Sequence, residues 1–355
     1  MRNSFFNKFI LIIVIAVITL SWSSKNKLED SIISGGQQPQ ITIDTKGTIR
    51  VVYGNKENIY CATSNNGGIT FSKPVLVANI PGMHLGMSRG PQLATSNTTS
   101  IITAIDKKGN IYCYQLIHST NQWKKLGVIN DIKESAPEGL MGLAADTKDN
   151  FYATWLDIRI GKRNQLFFSM LPNRTGSWSK NKLIYQSPDQ HICECCKPSL
   201  AVKDAQVTVM FRNWLHGSRD LYLITSNNNG NTFNGLKKLG NDTWKLNGCP
   251  MDGGGLVINN DNLVKTVWQR KGSVYYCEPD KAEKLVDRGR LCNISNNGSQ
   301  SLITYQTGDS LKVKQLENKP VIFIGKGSFL KASFTDNKKI FCVWEQDDLI
   351  KYKLI

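Results

Sequence analysis

The sequence predicts an all-β fold, a β-propeller of six or seven four-stranded blades. Three observations lead there. A turn of the form Ser-x-Asn-x-Gly-x-Thr-Phe occurs twice, at Ser64 to Phe71 and at Ser226 to Phe233, each time between short apolar strands. Strand-like segments recur in units of about 40 residues, the size of one propeller blade. Helical periodicity is absent along the whole chain.

The repeated turn explains itself locally. The Asn side chain can accept from backbone amides ahead of it, Gly takes a positive φ, and Phe pins the turn to the sheet. The first unit shows the blade pattern best. Gln40 to Asp44 is a strand, Thr45-Lys46-Gly47 turns it, and Ile49 to Tyr53 and Asn58 to Thr63 follow. The repeated turn then leads into Pro74 to Ala78. Similar units open at Gln92, Leu143, Ser199 and Leu256, and a compact one spans 291–327. The last stretch, Leu330 to Ile355, offers only three strands. A strand near Ser31 to Ser34 would complete that sheet and close the ring, which removes exposed sheet edges. Alternatively, the last two units merge into one blade of a six-bladed ring.

Residues 1–23 read as a targeting segment. Arg2 and Lys8 precede an apolar run from Phe9 to Leu20, with Ser21-Trp22-Ser23 as a cleavage option. The run is short for a membrane span and suits a signal peptide core, while Trp22 keeps an uncleaved anchor open. Residues 24–38 read as a linker and 39–355 as one propeller domain. The body is therefore expected outside the cytoplasm, in a periplasmic, extracellular or membrane-anchored setting.

A net charge of +16 favours anionic partners such as acidic sugars, phosphates or a membrane surface, or simply reflects surface lysines that keep the protein soluble. No basic helical stripe or recognition motif supports nucleic acid as a partner. In an up-and-down blade the first-to-second and third-to-fourth turns share one face. Here that face carries tight turns, both Ser-x-Asn-x-Gly-x-Thr-Phe turns among them. The opposite face collects Arg89, Glu134, Glu138, Asp157, Arg159, Arg212, Trp214, Arg219, Asp220, Asp252 and Arg270. Long loops on a repeat scaffold are where function usually sits, and arginine is suited to a bidentate grip on a carboxylate, sulfate or phosphate. The competing reading is that these arginines serve local ion pairs. Trp214, between two arginines, is a candidate for sugar stacking.

Nine cysteines leave at least one unpaired. His191-Ile192-Cys193-Glu194-Cys195-Cys196 precedes the fourth blade and Cys249-Pro250-Met251-Asp252 precedes the fifth, so the two segments can meet. Their four cysteines suit two disulfides in an exported chain. The alternatives are a copper or zinc site with help from His191, His84 or Met87, and free thiols. Cys61, Cys113 and Cys277 lie in third strands beside aromatics and read as buried small hydrophobes.

The two repeated turns resemble the Asp-box (BNR repeat) of sialidases, with Asn66 and Asn228 where Asp is usual. The body from about residue 40 is similar to bacterial exported sialidase-like proteins, through its Arg-Gly-Pro, Trp-Leu-Asp-Ile-Arg, Cys-x-Cys-Cys-Lys-Pro-Ser and Cys-Pro-Met-Asp-Gly-Gly segments. The resemblance implies a sialidase-like propeller that recognises, and in true sialidases hydrolyses, an anionic glycan. Such enzymes place three arginines on the sugar carboxylate, with a Tyr nucleophile, a Glu and an Asp acid/base. Arg89, Arg212 or Arg219, and Arg270 are the matching arginines, and Asp157 and Glu138 the matching carboxylates. The sequence departs from the pattern in lacking Phe-Arg-Ile-Pro, with Ser88-Arg89-Gly90-Pro91 the nearest segment, and in offering no placeable Tyr. Two further readings follow from the residues: a non-catalytic binding or scaffold propeller, and a metal-binding propeller built on the Cys/His cluster.

Overall fold

The computed structural model of the chain describes residues 30–173, 176–317, 319–336 and 338–355. The expected targeting segment, 1–23, lies outside them. Every sheet has four strands, and there are seven sheets. Among the described residues no helix is long and apolar enough to cross a membrane.

Blade 1 holds Gln37–Ile43, Ile49–Asn55, Asn58–Ser64 and Val75–Asn79. Blade 2 holds Gln92–Thr95, Thr99–Ile105, Ile111–Ile117 and Gln122–Val128. Blade 3 holds Met141–Ala145, Phe151–Asp157, Gln165–Leu171 and Lys182–Tyr185. Blade 4 holds Ser199–Lys203, Gln206–Arg212, Leu221–Ser226 and Asn234–Lys238. Blade 5 holds Gly255–Ile258, Val264–Arg270, Ser273–Cys277 and Lys284–Arg288. Blade 6 holds Arg290–Asn296, Ser301–Thr307, Ser310–Gln315 and Ile322–Lys326. Within each of these six, the strands are hydrogen-bonded in chain order. The first strand of every blade packs against the first strands of the blades on either side, so these strands surround the axis.

Blade 7 settles the count between six and seven. Ser328–Phe334, Ile340–Gln346 and Leu349–Leu354 supply its inner strands, and Ser31–Gly35 pairs with Leu349–Leu354 as its outermost strand. The expected linker over 24–38 is therefore too long: Ser31–Gly35 and the start of Gln37–Ile43 are already in sheets. The join is reinforced where Gly36 N donates to the Asp348 carbonyl at 2.8 Å and Gln37 Nε2 to Asp348 Oδ1 at 2.8 Å.

The core is a chain of inter-blade clusters rather than one centre. Tyr152, Leu156 and Phe168 of blade 3 meet Val207, Val209 and Phe211 of blade 4, and Ile49, Val51 and Tyr53 of blade 1 meet Phe341 and Val343 of blade 7. Cys61, Cys113 and Cys277 are buried there as small apolar side chains.

Both repeated turns have the same internal bonding. Gly68 N donates to Ser64 Oγ at 3.0 Å and Thr70 N to Asn66 Oδ1 at 3.0 Å. Gly230 N and Thr232 N do the same to Ser226 Oγ and Asn228 Oδ1, each at 2.9 Å. The asparagine thus performs the capping an aspartate would, and its amide adds a bond to Thr70 or Thr232 Oγ1. Glycine is required at both fifth positions: φ is +89° at Gly68 and +79° at Gly230, and a Cβ would strike Phe341 or Phe168 of the preceding blade.

Candidate functional site

The loops that join second to third strands, and one blade to the next, leave the face opposite the two repeated turns. The predicted residues do reach that side, but they do not converge on one pocket. Each arginine is engaged where it stands.

Arg89 Nε donates to the Glu138 carbonyl at 2.5 Å, and its Nη2 lies 3.5 Å from the Glu138 carboxylate. Arg159 forks onto Asp157 through Nε (2.9 Å) and Nη2 (2.8 Å) and reaches Asp131 at 2.6 Å. Arg270 contacts Glu283 at 2.7 Å and Asp242 at 3.0 Å. Arg219 contacts Glu194 at 3.1 Å. Arg212, only 1% exposed, spends its guanidinium on three backbone carbonyls: Arg219 (2.7 Å), Asp252 (2.9 Å) and Gln269 (2.9 Å). It fastens blade 4 to blade 5 and presents nothing to a ligand. The arginine pocket expected from sequence is therefore replaced by five separate clamps.

The expected catalytic carboxylates fare similarly. Asp157 is completely buried, and its oxygens accept from Ser135 Oγ (2.7 Å), Trp155 Nε1 (2.8 Å) and Arg159. It is a structural hub with no lone pair left for an incoming sugar. Glu138 is partly buried beside Arg89, and its pKa is raised, burial outweighing Arg89. The Trp214 ring is stacked on His191 at 5.7 Å and meets the Arg219 guanidinium at 4.6 Å, so it is already engaged by the protein.

What the top of the axis does contain is a narrow cleft. Gln38 and Gln40 of blade 1, Ser88, Lys197, Asp252, Leu291, Cys292 and Lys331 of blade 7 are among the residues lining it, and none of the five arginines does. Its enclosed space is about 60 Å³, room for a few waters or one small anionic group. Lys197 Nζ donates to Gln92 Oε1 at 2.5 Å. Among the described residues neither Lys197 nor Lys331 has an ion-pair partner within 4 Å. Burial, then the neighbouring Lys331, brings the Lys197 ammonium down to about 7. Burial brings Lys331 down to about 8, with Cys292 and Asp252 partly resisting. Two amines of depressed pKa in one cleft are short of negative charge.

Asp252 lies close by but is committed to the backbone. Its Oδ2 accepts from Leu291 N at 2.6 Å and its Oδ1 from Gly254 N at 3.2 Å. Burial raises its pKa despite Arg212. The Cys-Pro-Met-Asp-Gly-Gly segment is explained here: a Cβ on Gly253 would sit 1.9 Å from the Lys197 carbonyl, so only glycine lets the strand pass the lysine.

Below the rim of blade 4, Cys193, Cys195 and Cys196 converge, their sulfurs all within 4.8 Å of one another. Hydrogen bonds from the Cys195 and Cys196 thiols, then Arg212 and Arg219, hold Cys193 well below an ordinary thiol, against its burial. Burial first pushes Cys196 up to about 12. All nine cysteines are free thiols, so the two disulfides expected across the segments are not formed. Cys249 is exposed and its sulfur rests 4.0 Å from Glu194 Oε1, apart from the trio. His84 is committed elsewhere, its Nε2 2.9 Å from the Pro137 carbonyl, and Met87 is exposed.

Sequence reasoning missed Lys197 and Lys331. One signal existed: Lys331 lies within the first strand of blade 7 and Lys197 two residues ahead of the first strand of blade 4, the strands that face the axis.

No protein-family model matches the chain, and no curated protein matches it. Solved structures do. The BP39L lectin of Burkholderia pseudomallei superposes with a TM-score of 0.66 over 92% of this chain and 96% of its own, at 10% identity. The fold is that of a known propeller. A polysaccharide lyase of family PL25, an ulvan lyase bound to -[GlcA(1-4)Rha3S]-, superposes with a TM-score of 0.58 over 92% and 96%, at 12% identity. The NanB sialidase of Streptococcus pneumoniae reaches a TM-score of only 0.45 over 92% and 69%, at 12% identity, too loose a match to carry the sialidase expectation.

Proposed function

We propose that the protein is a non-catalytic glycan-binding propeller that takes the carboxylate or sulfate of an acidic sugar between Lys197 and Lys331. The observation that carries this reading is the pair of lysines of depressed pKa, without ion-pair partners among the described residues, that line the axial cleft. An anion placed there restores both ammonium charges and is held by two charge-assisted hydrogen bonds. The cleft admits the anionic group, and Gln38, Gln40 and Ser88 add neutral polar side chains to its lining. The lectin and lyase of similar fold support the ligand class, since one is a lectin and the other is bound to a chain carrying glucuronate and a sulfated rhamnose.

Binding is favoured over hydrolysis because the matching carboxylates are withheld. Asp157 is saturated and Glu138 is paired with Arg89. Tyr275 and Glu283 do stand beside Arg270, the ring 4.5 Å under its guanidinium and the carboxylate 2.7 Å from it, but Glu283 is spent on that ion pair and on the Asn241 amide.

The test is calorimetric titration with 3′-sialyllactose, a glucuronate disaccharide, a sulfated disaccharide and neutral lactose, run beside a 4-methylumbelliferyl-sialoside turnover assay. Saturable binding of an acidic ligand, lost in Lys331→Met, with no binding of lactose and no turnover, supports the reading. Turnover of the sialoside, or equal affinity for lactose, refutes it.

A further inference from the structure

We propose that Cys193, Cys195 and Cys196 form a three-thiolate site for a soft monovalent metal ion, Cu(I). Cys196 is the chain neighbour of Lys197, but the sulfur cluster is a different site from the axial lysines and its argument does not rest on the glycan reading.

Geometry is the first support. Three sulfurs bound to one metal at about 2.3 Å stand about 3.8–4.0 Å from each other. Cys193 and Cys195 Sγ are 3.7 Å apart, and all three sulfurs fall within 4.8 Å. The backbone is held in place: Ile192 N donates to the Asn164 carbonyl at 2.9 Å and Cys193 N to the Arg212 carbonyl at 3.1 Å, tying the loop to blades 3 and 4. Cys193 and Cys196 are buried while Cys195 is half-buried, which leaves one side open for loading.

Charge is the second. A Cu(I) tris-thiolate carries two net negative charges, which a dry interior tolerates only beside cations. Arg219 Nη1 donates to Cys193 Sγ at 3.0 Å, and the fully buried Arg212, whose guanidinium bonds only carbonyls among the described residues, lies under the same loop. Loading displaces the protons that the three sulfurs still carry to solvent as three metal–sulfur bonds form, with no change of oxidation state.

Coordination number selects the ion. Structural Zn²⁺ takes four ligands and iron–sulfur clusters take four cysteines, whereas Cu(I) is a soft ion suited to thiolates. No fourth ligand joins the trio. Glu194 is forked onto Arg219 at 3.1 and 3.3 Å, His191 is stacked on Trp214 with Nδ1 3.1 Å from the Asp189 carbonyl, and Cys249 falls outside the cluster.

The experiment is an anaerobic titration of the reduced full chain with Cu(I) against bathocuproine disulfonate, with metal counted after desalting. The expected result is one Cu(I) per chain. Cys195→Ala, at the most accessible of the three, lowers affinity by more than the roughly 100-fold typical of an outer-shell change. Cys249→Ala and His191→Ala stay near wild type. Thermal melts confirm that each variant is folded. Failure to retain copper, retention by Cys195→Ala, or equal loss in Cys249→Ala would overturn the three-thiolate site. So would peptide mapping that finds a disulfide within the trio in protein isolated without reductant.

Discussion

Phe233 stands edge-on to Phe168 of the preceding blade, with ring centroids 4.9 Å apart and planes at 68°. Phe71 repeats the relation against Tyr352 of blade 7 at 4.9 Å and 67°. The terminal aromatic of each repeated turn is therefore an inter-blade bolt. Phe233 is only partly buried, so Phe233→Ala is expected to destabilise the protein by about 2–3 kcal/mol, less than losing a fully buried aromatic. Gly230→Ala should cost a similar amount by forcing Phe168 aside. Urea denaturation of each variant measures both, and sialyllactose affinity at temperatures where they remain folded should not change.

Arg212→Ala orphans three buried carbonyls and is expected to cost about 3–5 kcal/mol. Arg212→Lys should recover only part, because one ammonium cannot reproduce a fork spanning Arg219, Asp252 and Gln269. A ligand-binding arginine would behave differently, losing affinity at unchanged stability. Melting temperature and binding measured on the same samples separate the two.

Glycan affinity should fall as pH rises through about 7 to 8. The charged forms of Lys197 and Lys331 exist below their depressed pKa values of about 7 and about 8 and disappear above them. Affinity for a sulfated ligand, which stays ionised, is thus highest on the acidic side of this window and lowest on the alkaline side. In Lys197→Met the lower step is removed and only the step near 8 remains. A flat profile for the wild type would exclude these lysines.

Asp44 supports folding in acid-sensitive fashion. Burial alone would raise its pKa, but hydrogen bonds from Arg50 and from the Thr48 and Lys46 amides carry it below the ordinary value. Its contribution is fully present above the unfolded carboxylate pKa and is lost as pH falls through the lowered one. Asp44→Asn, which leaves Arg50 without its 2.7 Å partner, is expected to cost about 3 kcal/mol at neutral pH. The acid limb of a stability–pH curve should then be shallower.

The architecture was legible because it is written in local chemistry. The repeated turns carry their own hydrogen bonds, and the alternating strands need only their neighbours. The face assignment was equally legible, since it follows from strand order. The arginine pocket was not. Asp131, Glu194, Asp242 and Glu283, which neutralise Arg159, Arg219 and Arg270, come from loops whose approach depends on blade tilt and loop path. Lys197 and Lys331 are 134 positions apart in sequence and meet only because the ring closes. Proximity of the Cys-x-Cys-Cys sulfurs was legible; the separation of Cys249 from them was not.

Blade 7 joins Ser31–Gly35 to strands formed some 300 residues later, and the bonds from Gly36 and Gln37 to Asp348 span that interval. Bringing such distant segments together costs about 5 kcal/mol of chain entropy, against about 3 for a single blade. The first six sheets can assemble from near neighbours, each soon after its own strands are available. Completion of the seventh waits for the longest search in the molecule, so refolding is expected to be limited at that seam. Ser328–Phe334, which carries Lys331, packs on blade 6 without it; what the seam adds is a closed ring that holds blade 1, with Gln38 and Gln40, against the Lys331 side of the axial cleft.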